Sequence, residues 1–196
     1  MFSKKIVSIC LCLCFLQYSL MATAGGDDKK DNDWVFHPSF ETGLLLGGRI
    51  NNENFVYESG YFAYLIADLQ VSKKVYYGLG SGFNILEDKT FIPVFVDFKG
   101  SFESFDKSSC YLSCQLGYSF ASYNNDFEYE NVNYKGGIMF SPGFGYRFNI
   151  RDSYCLLINI SYQHQFGEIE YSASGGRKIS EGMDFDLLFF KLGFMF

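Results

Sequence analysis

Three prolines, one tryptophan and two histidines are all that 196 residues hold of those types. So little proline excludes a polyproline or collagen-like chain and leaves long stretches free of the residue that interrupts backbone ladders. Neither histidine, His37 or His164, has a partner at a metal-ligand spacing, so no metal and no cofactor is expected. Positive charge is in deficit, with 16 Lys and Arg against 22 Asp and Glu, a net −6. A phosphate-binding surface needs a basic patch, and the lack of one excludes a nucleic-acid partner. No glycine-rich phosphate cradle follows a strand and opens a helix. A long apolar run is missing too: Ile6 to Met21 is interrupted by Ser8, Gln17 and Ser19 and falls short of the roughly 20 residues of a spanning helix.

What is plentiful is aromatic residues, 20% of the chain, and glycine, 20 residues. That composition suits a β-protein with exposed aromatic surface, and neither a disordered chain nor an ordinary soluble α/β domain. Residues 1–24 read as an export signal. Lys4 and Lys5 form the positive start, Ile6 to Met21 the apolar core, and Ala22-Thr23-Ala24 the small-residue cleavage box, which predicts a cut after Ala24. Residues 25–34, beginning GGDDKKDND, are charged and aperiodic and predict a mobile leader. The remainder, 35–196, predicts one domain. Its cysteines are odd in number. Cys110 and Cys114 sit about 13 Å apart on one predicted strand and Cys155 takes the opposite face, so no disulfide is expected.

Period two runs through the whole domain, and eight segments carry it. They are Phe36 to Ile50, Gly60 to Ser72, Val75 to Leu86, Phe91 to Phe102, Ser109 to Phe120, Gly137 to Ile150, Tyr154 to Phe166 and Asp184 to Phe196. Each reaches the 9 to 11 residues of a tilted membrane strand. One face is large and apolar, as with Leu188, Phe190, Leu192, Phe194 and Phe196 at the end of the chain. The other is rich in Gly, Ser, Asn and Gln and poor in charge. A soluble barrel would turn its apolar face inward and a charged face to water. Here the small polar face suits a narrow lumen, and the broad aromatic face would be an intolerable patch in water. The predicted fold is therefore all-β, an eight-stranded antiparallel up-and-down barrel with its apolar face in lipid. Tyr77, Phe102, Tyr146, Phe148, Tyr154, Phe194 and Phe196 are expected to form interfacial girdles. The short connections Ser72 to Lys74, Glu103 to Ser108 and Ile150 to Ser153 read as periplasmic turns, with both ends of the barrel domain in the periplasm. Asn51 to Ser59, Ala121 to Asn133 and Gly167 to Met183 read as longer outer loops, and Glu87 to Thr90 as a short one.

The terminal aromatic row Phe190, Leu192, Phe194 and Phe196 resembles the C-terminal signature of Gram-negative outer-membrane β-barrels. That likeness implies outer-membrane lipid as surroundings and the barrel-assembly machinery as a partner during biogenesis. Residues 35–196 resemble the small barrels of the outer-membrane protein X and outer-membrane protein A transmembrane-domain type, and an outer-membrane β-barrel domain group through FIPVFVDFKG (Phe91 to Gly100), SPGFGYRFNI (Ser141 to Ile150) and KLGFMF (Lys191 to Phe196). The resemblance implies a porin-like fold in the cell outer membrane and is nearly silent about activity. No periplasmic peptidoglycan-binding domain follows Phe196, so that role of larger relatives is not implied.

Chemistry is sparse. His164 falls on the lipid face near the outer end of its strand, where lipid-directed catalysis would occur. A base of that kind needs a hydroxyl nucleophile within reach and an orienting group. The outer-membrane deacylases carry a Ser two residues after the His, where this chain has Phe166, so no catalytic residue is assigned, although Glu168 or Glu170 could supply a carboxylate. Asp126, Glu128 and Glu130 read as a solvated acidic loop, too few to satisfy calcium. Alternation turns Glu41, Asp68, Asp97, Lys99, Arg147 and Lys191 inward in the periplasmic half, three of each sign. Because an eight-stranded lumen is filled by side chains and isolated charges there are costly, these six predict an ionic plug, with Glu41 and Lys191 meeting across the seam between first and last strands. Arg49 is expected at the watery outer rim. The expected function is a non-enzymatic barrel acting structurally or through surface ligands at its outer loops; the competing readings are a narrow solute channel and a lipid-modifying enzyme.

Overall fold

A segment with period two exposes a full row of backbone N–H and C=O groups on each side, and only pairing on both sides satisfies them. The computed structural model describes residues 35–51, 54–87, 89–104, 107–123, 132–151, 154–173 and 177–196. The predicted export signal, the leader, the acidic tip at Asp126, Glu128 and Glu130, and Gly175-Gly176 lie outside the described residues. In chain order the strands are β1 (Val35–Asn51), β2 (Asn54–Ser72), β3 (Val75–Leu86), β4 (Lys89–Ser101), β5 (Ser109–Tyr123), β6 (Val132–Lys135), β7 (Gly137–Arg151), β8 (Tyr154–Gln165), β9 (Glu168–Ala173), β10 (Arg177–Gly182) and β11 (Asp184–Met195). Eight of them close a barrel in the order β1-β11-β8-β7-β5-β4-β3-β2, and all its pairs are antiparallel.

The first and last barrel strands make the seam, in register from Ser39 opposite Met195 to Ile50 opposite Asp184. Beyond the ladder, the Phe196 amide donates to the Pro38 carbonyl at 3.0 Å, and the His37 ring nitrogen Nδ1 lies 3.0 Å from the Phe196 carbonyl oxygen. The terminal aromatic residue is thus tied to the start of the barrel by backbone and side chain together.

Two of the expected outer loops are ladder instead. β2 begins at Asn54 and stays paired with β1 up to Asn51 opposite Asn54, so residues 54–59 continue the strand. Alternation is partial there: Phe55, Val56 and Tyr57 are all exposed, and only Glu58 is buried. The stretch expected as the last outer loop folds as the β9-β10 hairpin, which joins β6 in a separate three-stranded sheet of order β10-β9-β6. Polar composition hid these strands, because above the lipid a sheet has no need of an apolar face.

The outward row is apolar along all eight barrel strands, with Leu65 at 70% and Leu79 at 67% exposure. Inside, the side chains fall into layers. At the end where the short turns lie, Tyr76, Tyr111, Leu157 and Met195 pack together. Toward the opposite end, Leu45, Phe62, Tyr64, Ile66, Phe91, Phe95, Phe185, Leu187 and Phe189 form the main core with their neighbours. Small polar residues are expected to dominate the lumen, yet Phe62, Tyr64 and Ile66 of β2, Phe91 and Phe95 of β4, and Phe185, Leu187 and Phe189 of β11 are buried inside it, with Leu45 from β1. Those aromatic rings sit at the same parity as Asp68, Asp97 and Lys191, so the row changes chemistry partway along each strand.

Candidate functional site

Between the two apolar layers lies a layer of five charges. Glu41 comes from β1, Asp68 from β2, Asp97 and Lys99 from β4 and Lys191 from β11, and every one of them is at most 5% exposed. Lys99 is the hub. Its Nζ lies 2.5 Å from Asp97 Oδ2, 2.9 Å from Asp68 Oδ2 and 3.7 Å from Glu41 Oε1. Asp68 also accepts the Ser39 hydroxyl at 2.8 Å. Across the seam, Lys191 Nζ stands 4.0 Å from Glu41 Oε2 and donates to Gln115 Oε1 at 2.7 Å, so this side chain spans the lumen from β11 to β5. Its ammonium also rests 5.2 Å from the Phe189 ring centre and 5.7 Å from that of Tyr64, where the negative ring faces favour a cation.

Glycine makes room for this layer. Gly78 on β3 is opposite both Asp68 and Asp97, and a Cβ there would come within 2.4 Å of Asp68 Oδ1. The Asp68 carboxylate fills the space above it, 2.9 Å from Lys99 Nζ. At the seam Gly193 is opposite Glu41 and Gly43 opposite Lys191, so each long charged side chain faces a neighbour with none.

Arg147 stands apart from the five. It is 1% exposed and donates from Nη2 to the Lys107 carbonyl at 2.7 Å, near the short turn between β4 and β5. Without it the layer carries three carboxylates and two ammonium groups rather than a balanced set. A second ion cluster, absent from the sequence reading, lies at the hairpin end. Glu58 Oε1 is 3.2 Å from Arg49 Nε and 3.1 Å from Lys89 Nζ, and Arg49 Nη1 reaches Met183 Sδ at 3.3 Å. Glu58 and Lys89 had been expected in loops. The available signal was parity: Glu58 continues the inward row of Phe62 and Tyr64, and Lys89 that of Phe91 and Phe95.

On the lipid face, β8 and β11 place His164 opposite Asp186. Asp186 Oδ1 lies 2.7 Å from His164 Nδ1 and accepts a short bond from the Tyr162 hydroxyl. Phe166 packs edge-on against the imidazole at 4.6 Å. The carboxylate partner of His164 is therefore Asp186, not Glu168 or Glu170. Both of those instead surround Lys135, whose Nζ is 2.5 Å from Glu170 Oε1 and 3.9 Å from Glu168 Oε2. The Tyr162 hydroxyl beside His164 is bonded to the carboxylate, and Phe166 occupies the place of a nucleophile. Cys110, Cys114 and Cys155 are in no disulfide, and the Cys155 thiol donates to Asn149 Oδ1 at 3.1 Å. Among the described residues, no group of three or more His, Cys, Asp or Glu side chains is arranged to hold a metal.

The lipid-facing row and the filled lumen together decide the class of molecule. Structures with this topology include outer membrane protein AlkL in lipid bilayers (12% identity, TM-score 0.58, covering 87% of this chain and 94% of that one). Neisserial surface protein A is also similar (10% identity, TM-score 0.61, 82% and 95%), as is OprG from Pseudomonas aeruginosa (8% identity, TM-score 0.53, 83% and 97%). The fold is that of the small outer-membrane β-barrels. No family model and no curated protein matches the sequence. With an apolar belt around all eight strands and no unpaired edge in the closed sheet, the barrel is built to sit in lipid. At the short-turn end, expected girdle members pair: Tyr146 with Phe148 at 4.6 Å and Tyr154 with Phe196 at 5.7 Å, while Tyr77 packs on Phe98 at 5.2 Å.

Proposed function

We propose that this outer-membrane barrel is a non-enzymatic, ion-tight mount whose role is structural or is exercised through the structured hairpins above the membrane. The observation that carries the reading is the Lys191 side chain, which bridges Glu41 and Gln115 across the lumen beneath a layer of packed aromatic rings. An ion crossing the barrel would have to displace that ammonium from its partners and part the packed Tyr76, Tyr111, Leu157 and Met195 side chains at the short-turn end. The β6, β9 and β10 sheet supports the surface-interaction role, since it extends ordered structure beyond the barrel and is polar. A partner at that end and assistance from the assembly machinery both belong to this proposal.

Conductance across planar bilayers containing the purified barrel tests the first half, with no steady open level expected. A persistent ohmic conductance would overturn it in favour of a narrow channel. Deleting residues 168–182 while retaining the barrel tests the second half, with loss of a surface-adhesion phenotype and unchanged envelope permeability as the expected result. Lipid-modifying catalysis is the second reading, resting on the His164–Asp186 pair at the lipid face. Acyl release from outer-membrane lipid by the purified barrel, abolished in His164→Phe, would establish it over the non-enzymatic reading.

A further inference from the structure

The lumen is lined by two unlike walls. On β11, β2 and β4, with Leu45 of β1, it is aromatic and aliphatic above the charge layer. On β5, β7 and β8 the inward residues are mostly polar and include Gln115, Ser119, Ser141, Ser161, Gln163 and Gln165, each at most 2% exposed, with the apolar Met139 of β7 buried among them. The boundary between the walls is sharp. Along β8, Gln165, Gln163 and Ser161 lie directly opposite Phe185, Leu187 and Phe189 of β11.

Five of these polar side chains hold atoms with no hydrogen-bond partner in the protein: the hydroxyls of Ser119, Ser141 and Ser161, Gln163 Oε1 and Gln165 Nε2. The two glutamines bond each other once, Gln163 Nε2 donating to Gln165 Oε1 at 3.1 Å, which leaves Gln163 Oε1 and both hydrogens of Gln165 Nε2 without a protein partner. Serine is too short to reach across the lumen, and the facing wall offers aromatic rings in place of acceptors. Buried polar groups are almost always bonded to protein or to ordered water. Five such atoms on three adjacent strands therefore share one missing partner.

Spacing identifies that partner. Same-face neighbours lie about 6.8 Å apart along a strand and about 4.8 Å apart between strands. A single water making two bonds spans about 5.5 Å. Ser141 is opposite Gln115, whose Oε1 accepts from Lys191, so the same row leads to the charge layer. We propose that the β5, β7 and β8 wall binds a file of about two to four water molecules, running from Ser119 and Gln165 at the outer end down to Gln115 and Lys191. The file solvates the inner charges from one side. Tyr76, Tyr111, Leu157 and Met195 close its periplasmic end, so it is an internal hydration track and not a through-pore.

Water-edited solid-state NMR on the full chain in lipid vesicles tests this. Magnetisation from water should reach the side-chain amides of Gln163 and Gln165 severalfold faster than the rings of Phe62 and Phe189. Equal, slow build-up at glutamines and rings would overturn the track, and equal, fast build-up would overturn its confinement to one wall. Ser141→Val, checked for folding by heat-modifiable gel migration, should slow transfer to Gln163; unchanged transfer would remove Ser141 from the file.

Discussion

Lys99 and Lys135 are both ammonium groups 2.5 Å from a carboxylate oxygen, yet they stand in opposite surroundings. Lys99 is sealed in the lumen with its side chain 2% exposed, among three carboxylates, while Lys135 is 45% exposed on the polar sheet above the membrane. Equal distance does not make equal strength. In water the Lys135 pair competes with solvation, is screened by salt and must hold two long side chains still. In the lumen neither partner of Lys99 has bulk water to return to, so removing one strands the other.

The sharpest way to break the comparison is Lys99→Met. It leaves Glu41, Asp68 and Asp97 facing one another without their hub and should cost about 3 to 5 kcal/mol, read as a lowered urea midpoint in lipid vesicles. A loss no greater than that of Lys135→Ala would show the layer to be freely solvated. Next comes the opposite error, a charge placed where none belongs. Ile158, outward on β8 and opposite Leu192, should lose roughly 2 to 4 kcal/mol as Ile158→Arg if it lies near mid-bilayer. Equal tolerance at Ile158 and at Lys178 on β10 would remove the belt from lipid.

A smaller effect measures coupling across the seam. Glu41→Leu and Lys191→Met should each destabilise, and the double variant should lose less than the two singles together, by about 0.5 to 3 kcal/mol. Simple additivity would mean that Lys191 is held by Gln115 and the rings alone. The smallest effect is at the exposed pair. The bond to Glu170 holds the Lys135 pKa above its ordinary value. Its contribution is therefore in place below the ordinary lysine range and is lost only as pH climbs through the raised value. Lys135→Ala should leave the urea midpoint unchanged between pH 6 and pH 8.

Much of the barrel was legible because lipid is a strict solvent. Every strand crossing it must alternate, so the eight segments, their faces and the aromatic girdle could be read from parity alone. Above the membrane that constraint ends, and the strands of residues 54–59, β6, β9 and β10 passed for loops. The inward charges were legible as a set, since alternation puts Glu41, Asp68, Asp97, Lys99 and Lys191 on one face. Which of them meet was not.

The order of residues by itself determined which side chains face the lumen and which face lipid, because a strand's period of two is local. Only the closed sheet decided the partners. Register and tilt around eight strands brought Lys99 among three carboxylates, left Arg147 at the turn, joined Glu58 to Arg49 and Lys89 and gave His164 to Asp186. Those distances depend on how far each strand slides against the next, a quantity summed around the barrel and written in no single segment.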